Sequence, residues 1–144
     1  MEQAEINRRV ALSIDMHDRN FNCAQSVACA CCDLVGLDEA AAFRMLEGFG
    51  GGMGDHTETC GALSGAVAII GYAMSEGPHN PTTKFATYEQ VKPLVARFRE
   101  EEGATTCGVL TGLAGGPKLQ PCPKLIQDCV RFTIDALEGI AQAE

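Results

Sequence analysis

The chain has 144 residues, and its 19 acidic against 11 basic side chains give a formal charge of −8. That is enough length for one domain burying roughly two-thirds of its unfolded surface. The charge repels phosphate backbones and no Lys/Arg cluster offsets it, which excludes a nucleic-acid partner. MEQAEINRRV at the start lacks the apolar run of a signal peptide, and the longest apolar stretch, GAVAIIGYAM at 65–74, is about half of the roughly 20 residues needed to span a bilayer. The expectation is a soluble cytoplasmic protein with no membrane partner.

Apolar residues recur at helical spacing and strand-type alternation is scarce, so the predicted fold class is all-α, one domain over residues 1–144 built as a helical bundle of about six or seven helices. Ile6, Val10 and Ile14 stripe a first helix over residues 2–17. Asn22 is an N-cap for a second, from Cys23 to about Leu34. Asp38 caps a third, in which Ala42, Met45, Leu46 and Phe49 follow i, i+3, i+4, i+7 spacing, and GFGGGMG at 48–54 ends it in a glycine loop. A fourth begins at Thr57 or Thr59 and reaches about Ser75. It is apolar on nearly all sides, hence central. EGPHNP at 76–81 is a turn. The next helix opens at Thr82 or Thr83, buries Val91, Leu94, Val95 and Phe98, and stops at Gly103. Pro93 permits a break or fresh start at Lys92. A short helix follows Thr105 or Thr106, and a last one starts at Pro123 and runs close to the C-terminus.

Eight cysteines (23, 29, 31, 32, 60, 107, 122 and 129) stand out in a reducing compartment, where such density points to metal or redox chemistry rather than stable disulfides. Four of them, Cys23, Cys60, Cys107 and Cys122, fall at four different predicted helix starts. There the free N–H groups and the helix dipole favour an anion, so these four are expected to be predisposed toward thiolates. Cys29, Cys31, Cys32 and Cys129 fall inside helices. Cys29 and Cys32 can share a helical face, with packing the simpler role for them.

One phrase occurs twice: Thr-Cys-Gly-Ala-Leu-Ser-Gly at 59–65 and Thr-Cys-Gly-Val-Leu-Thr-Gly at 106–112. Each copy reads as a helix start presenting a sulfur beside bare backbone, since Gly61 and Gly65, like Gly108 and Gly112, let a neighbouring helix or an inorganic centre come close. If the two starts converge, Cys60 and Cys107 share a site. His56 lies four residues before Cys60, within reach as a ligand or proton donor, although a solvated loop residue is the simpler reading. Asp55 and Glu58 suit the helix dipole better than catalysis. GFGGGMG matches no nucleotide-binding register and reads as a flexible approach, or access lid, to Cys60. Met53 within it either shields that site or fills a gap.

These segments carry a resemblance. Asn22-Cys23-Ala24-Gln25, the glycine stretch 48–54, Cys60-Gly61-Ala62-Leu63-Ser64-Gly65, Phe98 and Gly103 leading to Cys107, and Cys122-Pro123 resemble, in order and spacing, the C_GCAxxG_C_C family of redox-active proteins named for a CGAxxG motif. The resemblance covers most of the chain and implies signature cysteines at 23, 60, 107 and 122. It implies redox activity without a defined reaction, in bacteria or archaea that are mostly anaerobes. A related domain in a multihaem cytochrome is similar in its cysteines and is associated with an iron–sulfur centre. No C-x-x-C-H is present here, so no c-type haem is attached.

Four readings compete. In the first, Cys23, Cys60, Cys107 and Cys122 ligate an iron–sulfur cluster, [2Fe–2S] or [4Fe–4S], that passes electrons to a redox partner protein. In the second, the same cysteines act as a thiol–disulfide oxidoreductase, although none of the four stands in a C-x-x-C pair. In the third, they close a structural zinc site. In the fourth, they only pack. A homodimer is compatible with each, and neither a substrate nor an enzymatic reaction follows from the sequence.

Overall fold

The computed structural model describes residues 1–144. Seven α-helices and no strand build it: α1 (Gln3–Asp18), α2 (Cys23–Cys31), α3 (Glu39–Leu46), α4 (Gly61–Met74), α5 (Lys84–Glu102), α6 (Cys107–Thr111) and α7 (Cys122–Ala143). The all-α expectation holds, with boundaries mostly within a residue or two.

Local chemistry explains the starts and stops. Asn22 forms a full capping box with Gln25: its side chain accepts the Gln25 N–H at 2.9 Å, and its own N–H donates to Gln25 Oε1 at 2.9 Å. Asp38 accepts the Ala41 N–H at 3.0 Å to open α3. Gly103, at φ +96°, ends α5 in the left-handed conformation that glycine adopts freely.

α2 is buried along eight of its nine residues, and α4 packs against α2, α5 and α7. Between them lies one core, with Val27, Leu63, Ile69, Ile70, Phe98, Leu110 and Ile126 at its centre. α1 lies against α2 and α7, and its buried Arg9 donates to the Ala30 carbonyl at 2.9 Å and pairs with Asp33 at 2.6 Å.

Three expectations are corrected. α5 runs unbroken through Pro93. The carbonyl that loses its N–H partner belongs to Glu89, which like Pro93 is exposed and can bind water. Met45 and Phe49, expected on a buried stripe with Ala42 and Leu46, are 69% and 41% exposed. α3 ends at Leu46, and a tighter turn over Glu47–Phe49 takes Phe49 out of helical register. Finally, α4 begins at Gly61 rather than at Thr57 or Thr59, for a reason that lies in the functional region.

Candidate functional site

Residues 58–60 run extended beside 105–107. The Cys60 N–H donates to the Thr105 carbonyl at 2.8 Å, and the Cys107 N–H donates to the Glu58 carbonyl at 2.8 Å. Thr59 and Thr106 thereby form an isolated antiparallel bridge. The duplicated phrase is therefore a reciprocal pair, each copy tying down the start of the other's helix. Cys60 is itself the N-cap of α4, whereas Cys107, Cys23 and Cys122 are the first residues of α6, α2 and α7.

All four helix starts face one small, enclosed cavity of about 10 Å³, completed by Leu110, Thr111 and Leu125. That is room for roughly one water. No carboxylate lines it. Cys60 and Cys107 are buried, and Cys23 and Cys122 are half-buried.

Two glycines make space for these sulfurs. A Cβ on Gly61 would stand 2.5 Å from Cys23 Sγ, and one on Gly52 would stand 2.3 Å from Cys107 Cβ. The other glycines of the repeated phrase do different work. Gly65 brings α4 against α2, where a Cβ would meet the Ala24 carbonyl oxygen at 2.6 Å, while Gly112 caps α6 at φ +83°.

Electrostatics corrects the thiolate expectation. Burial pushes the Cys60 thiol up to about 12, with Cys23 adding to the rise, and the N–H groups of Ala62 and Leu63 at the start of α4 offset it only in part. Burial likewise raises Cys107, helped by Cys23 and Cys122. It raises Cys122 as well, against the pull of Lys118. Desolvation outweighs the helix dipole, so these three stand as neutral thiols unless a cation joins them; coordination to a metal deprotonates a thiol outright.

His56 touches this centre through Cys107, not Cys60: its Nδ1 lies 3.3 Å from Cys107 Sγ. The residue is exposed and adopts φ +63°, the second non-glycine in its loop, after Met53, to do so. The glycine stretch is no free lid. Asn22 Nδ2 holds the Glu47 carbonyl at 2.9 Å, and Gly50 and Gly52 press on Asn22 and Cys107. Met53 lies outside the cysteine cavity, on the wall of a neighbouring apolar groove.

The other cysteines stay apart. Cys31 and Cys129 are wholly inaccessible. Burial pushes Cys29 and Cys31 up to about 12 and raises Cys32 and Cys129. Cys29 and Cys32 do share a face, on a different cavity beside Arg9 and Asp33.

Four thiols are a donor set that a polynuclear iron–sulfur cluster and a tetrahedral zinc site can each use. A tetrahedral zinc site with Zn–S near 2.3 Å sets its sulfurs about 3.8 Å apart around one point. No three His, Cys, Asp or Glu side chains of this chain are grouped to hold one metal ion. Four cysteines in a dry, enclosed setting with N–H donors at hand are the ligands such a cluster uses. The side chains would have to open to admit anything larger than a water.

Comparison with known proteins agrees with this signature. The family described as "Putative redox-active protein (C_GCAxxG_C_C)" matches residues 21–136. The chain belongs to this family. All four cavity cysteines lie within the matched span. An uncharacterized protein of Archaeoglobus fulgidus is 26% identical over 149 aligned positions, covering 96% of this chain and 97% of that protein. No solved structure matches the chain. This C_GCAxxG_C_C protein has no helix long and apolar enough to cross a membrane.

Proposed function

We propose that this redox-active protein transfers electrons through one iron–sulfur cluster, [2Fe–2S] or [4Fe–4S], held by Cys23, Cys60, Cys107 and Cys122, with a redox partner protein as donor or acceptor. The observation that carries the reading is the meeting of four cysteines from four separate segments around one apolar cavity, with Gly61 and Gly52 cleared to let the side chains of Cys23 and Cys107 in. Bound there, a cluster supplies one-electron chemistry. The chain's own residues set its surroundings: the Ala62 and Leu63 N–H groups at the start of α4 pull against the burial of Cys60, His56 stands against Cys107, and Leu110 and Leu125 line the cavity. N–H groups facing the sulfurs would raise the potential of a bound cluster, and the apolar walls would lower it by disfavouring the more charged reduced state.

The thiol–disulfide reading is weaker on the same geometry, because an attacking sulfur needs thiolate character and burial holds Cys60, Cys107 and Cys122 protonated. The test is anaerobic reconstitution with iron and sulfide, followed by an absorption spectrum and iron, sulfide and zinc analysis. Visible absorption with iron and sulfide in cluster stoichiometry supports the proposal. Colourless protein without iron or sulfide overturns it, and a disulfide among the four, found by mass spectrometry after oxidation, would transfer the site to thiol chemistry.

A further inference from the structure

Beside the cysteine cavity, and separate from it, runs an apolar groove of about 540 Å³ between α3, α4 and α5. That volume lies within the range of about 300–1,000 Å³ that accommodates small organic ligands. Its walls carry Met45, Phe49 and Met53, which are 69%, 41% and 48% exposed although each is large and apolar. Thr59 and Thr105, which belong to the extended pairing beside Cys60, also line it.

The groove contains one charged side chain, Arg99, and no acidic one. The contrast with Arg97, two residues earlier on α5, is informative. Arg97 pairs with Glu101 and Asp135 and lies 4.2 Å over the Phe132 ring, so it is committed to the fold. Arg99 is exposed, has no carboxylate partner in a chain that carries a −8 charge, and lines an apolar concavity.

We propose that this groove binds a small amphipathic anion, an apolar body ending in a carboxylate, with Arg99 taking the anionic end and the methionines adapting to the body. The site places its occupant next to Thr59, one residue from Cys60. It does not depend on what the four cysteines hold.

Dodecanoate is the probe. Titration calorimetry on the full chain should give one saturable site per molecule, with dodecanol weaker than dodecanoate. Arg99→Gln should weaken dodecanoate about three- to fivefold, the worth of an exposed ion pair, and leave dodecanol unchanged. Ala68→Phe, which puts a ring into the groove from a half-buried position, should weaken both by at least about tenfold, with the melting temperature confirming a folded chain. Non-saturable uptake, equal affinity for the alcohol, or indifference to both substitutions would overturn the proposal. So would retention on phosphatidylglycerol vesicles without binding of dispersed dodecanoate, since the groove would then be a lipid-surface contact.

Discussion

The eight cysteines form two sets of four that differ in position more than in burial. Cys29, Cys31, Cys32 and Cys129 are all at most 5% exposed, and burial raises every one of them. Burial also raises Cys60, Cys107 and Cys122. A shifted thiol therefore does not separate the sets. What separates them is that Cys23, Cys60, Cys107 and Cys122 stand at helix starts that meet, while the others lie within α2, its 3-10 continuation and α7 and replace ordinary apolar side chains. Burial makes a cysteine inert; convergence on free N–H groups makes it a candidate ligand.

The most direct way to break that comparison is serine substitution. Cys60→Ser should remove nearly all visible absorption and iron from reconstituted protein. Cys31→Ser should leave both intact and show its effect in stability alone, about 1–3 kcal/mol for a hydroxyl buried without a partner. Equal loss of iron in the two variants would erase the distinction.

The next largest effects come from the glycines of the first phrase. Gly65→Ala meets the Ala24 backbone at 2.6 Å, so α2 and α4 must part. Overpacking costs about 1–3 kcal/mol, and alanine's better helix propensity returns roughly 1. A net loss of up to about 2 kcal/mol should appear in urea unfolding, with cluster content little changed. Gly61→Ala meets a movable sulfur first, Cys23 Sγ at 2.5 Å, and backbone only at 3.0 Å, the Phe49 carbonyl oxygen. It should cost less stability and more iron. The crossed pattern is the prediction; parallel losses would refute it.

Much of this was legible from spacing. Caps at Asn22 and Asp38, the stop at Gly103 and the helix-start placement of four cysteines all follow from local backbone chemistry, which sequence displays directly. The pairing of 58–60 with 105–107 was not visible, because a three-residue extended contact has no period; the duplicated phrase was its only trace. Protonation of the thiols is hidden from the sequence for a related reason. The dipole is a property of one helix, whereas desolvation comes from all the elements that close over it. Sequence distance puts His56 within reach of Cys60, with a solvated loop residue the simpler reading; the left-handed turn at Met53 and His56 sets its Nδ1 beside Cys107 instead.

A smaller effect sharpens the contrast at Cys129, whose surroundings include Glu102 and Asp128. Glu102 is buried, and its Oε1 has no hydrogen-bond partner. Lys124 reaches its other oxygen at 3.1 Å and Asp128 at 2.8 Å. Burial first, and then the neighbouring Asp128 carboxylate, push Glu102 from 4.5 up to about 7. The folded chain thus binds more protons than the unfolded chain between pH 4.5 and 7, and this group's contribution to stability falls as pH rises through that window. Asp128 is lowered from 3.8 and Lys124 raised from 10.5, so their own effects lie outside it. Glu102→Gln removes the titrating group and should flatten the decline, read as a smaller difference in urea midpoint between pH 5 and pH 8.

The smallest expected effect concerns His56. A non-glycine residue in the left-handed region costs roughly 1–2 kcal/mol, and here that cost accompanies one contact with a cavity sulfur, 3.3 Å from Nδ1 to Cys107 Sγ. With Nδ1 protonated, that contact donates to a sulfur whose negative charge grows on reduction, which favours the reduced state. His56→Gly removes the donor and relieves the backbone together. The reconstituted variant should be as stable as the parent or more so by about 1 kcal/mol, yet have a lower reduction potential. His56→Gln, which retains a donor at some cost in reach, should fall between. A glycine variant that gains stability without any change in potential would mean that the strained turn serves the fold of the loop and not the sulfur beside it.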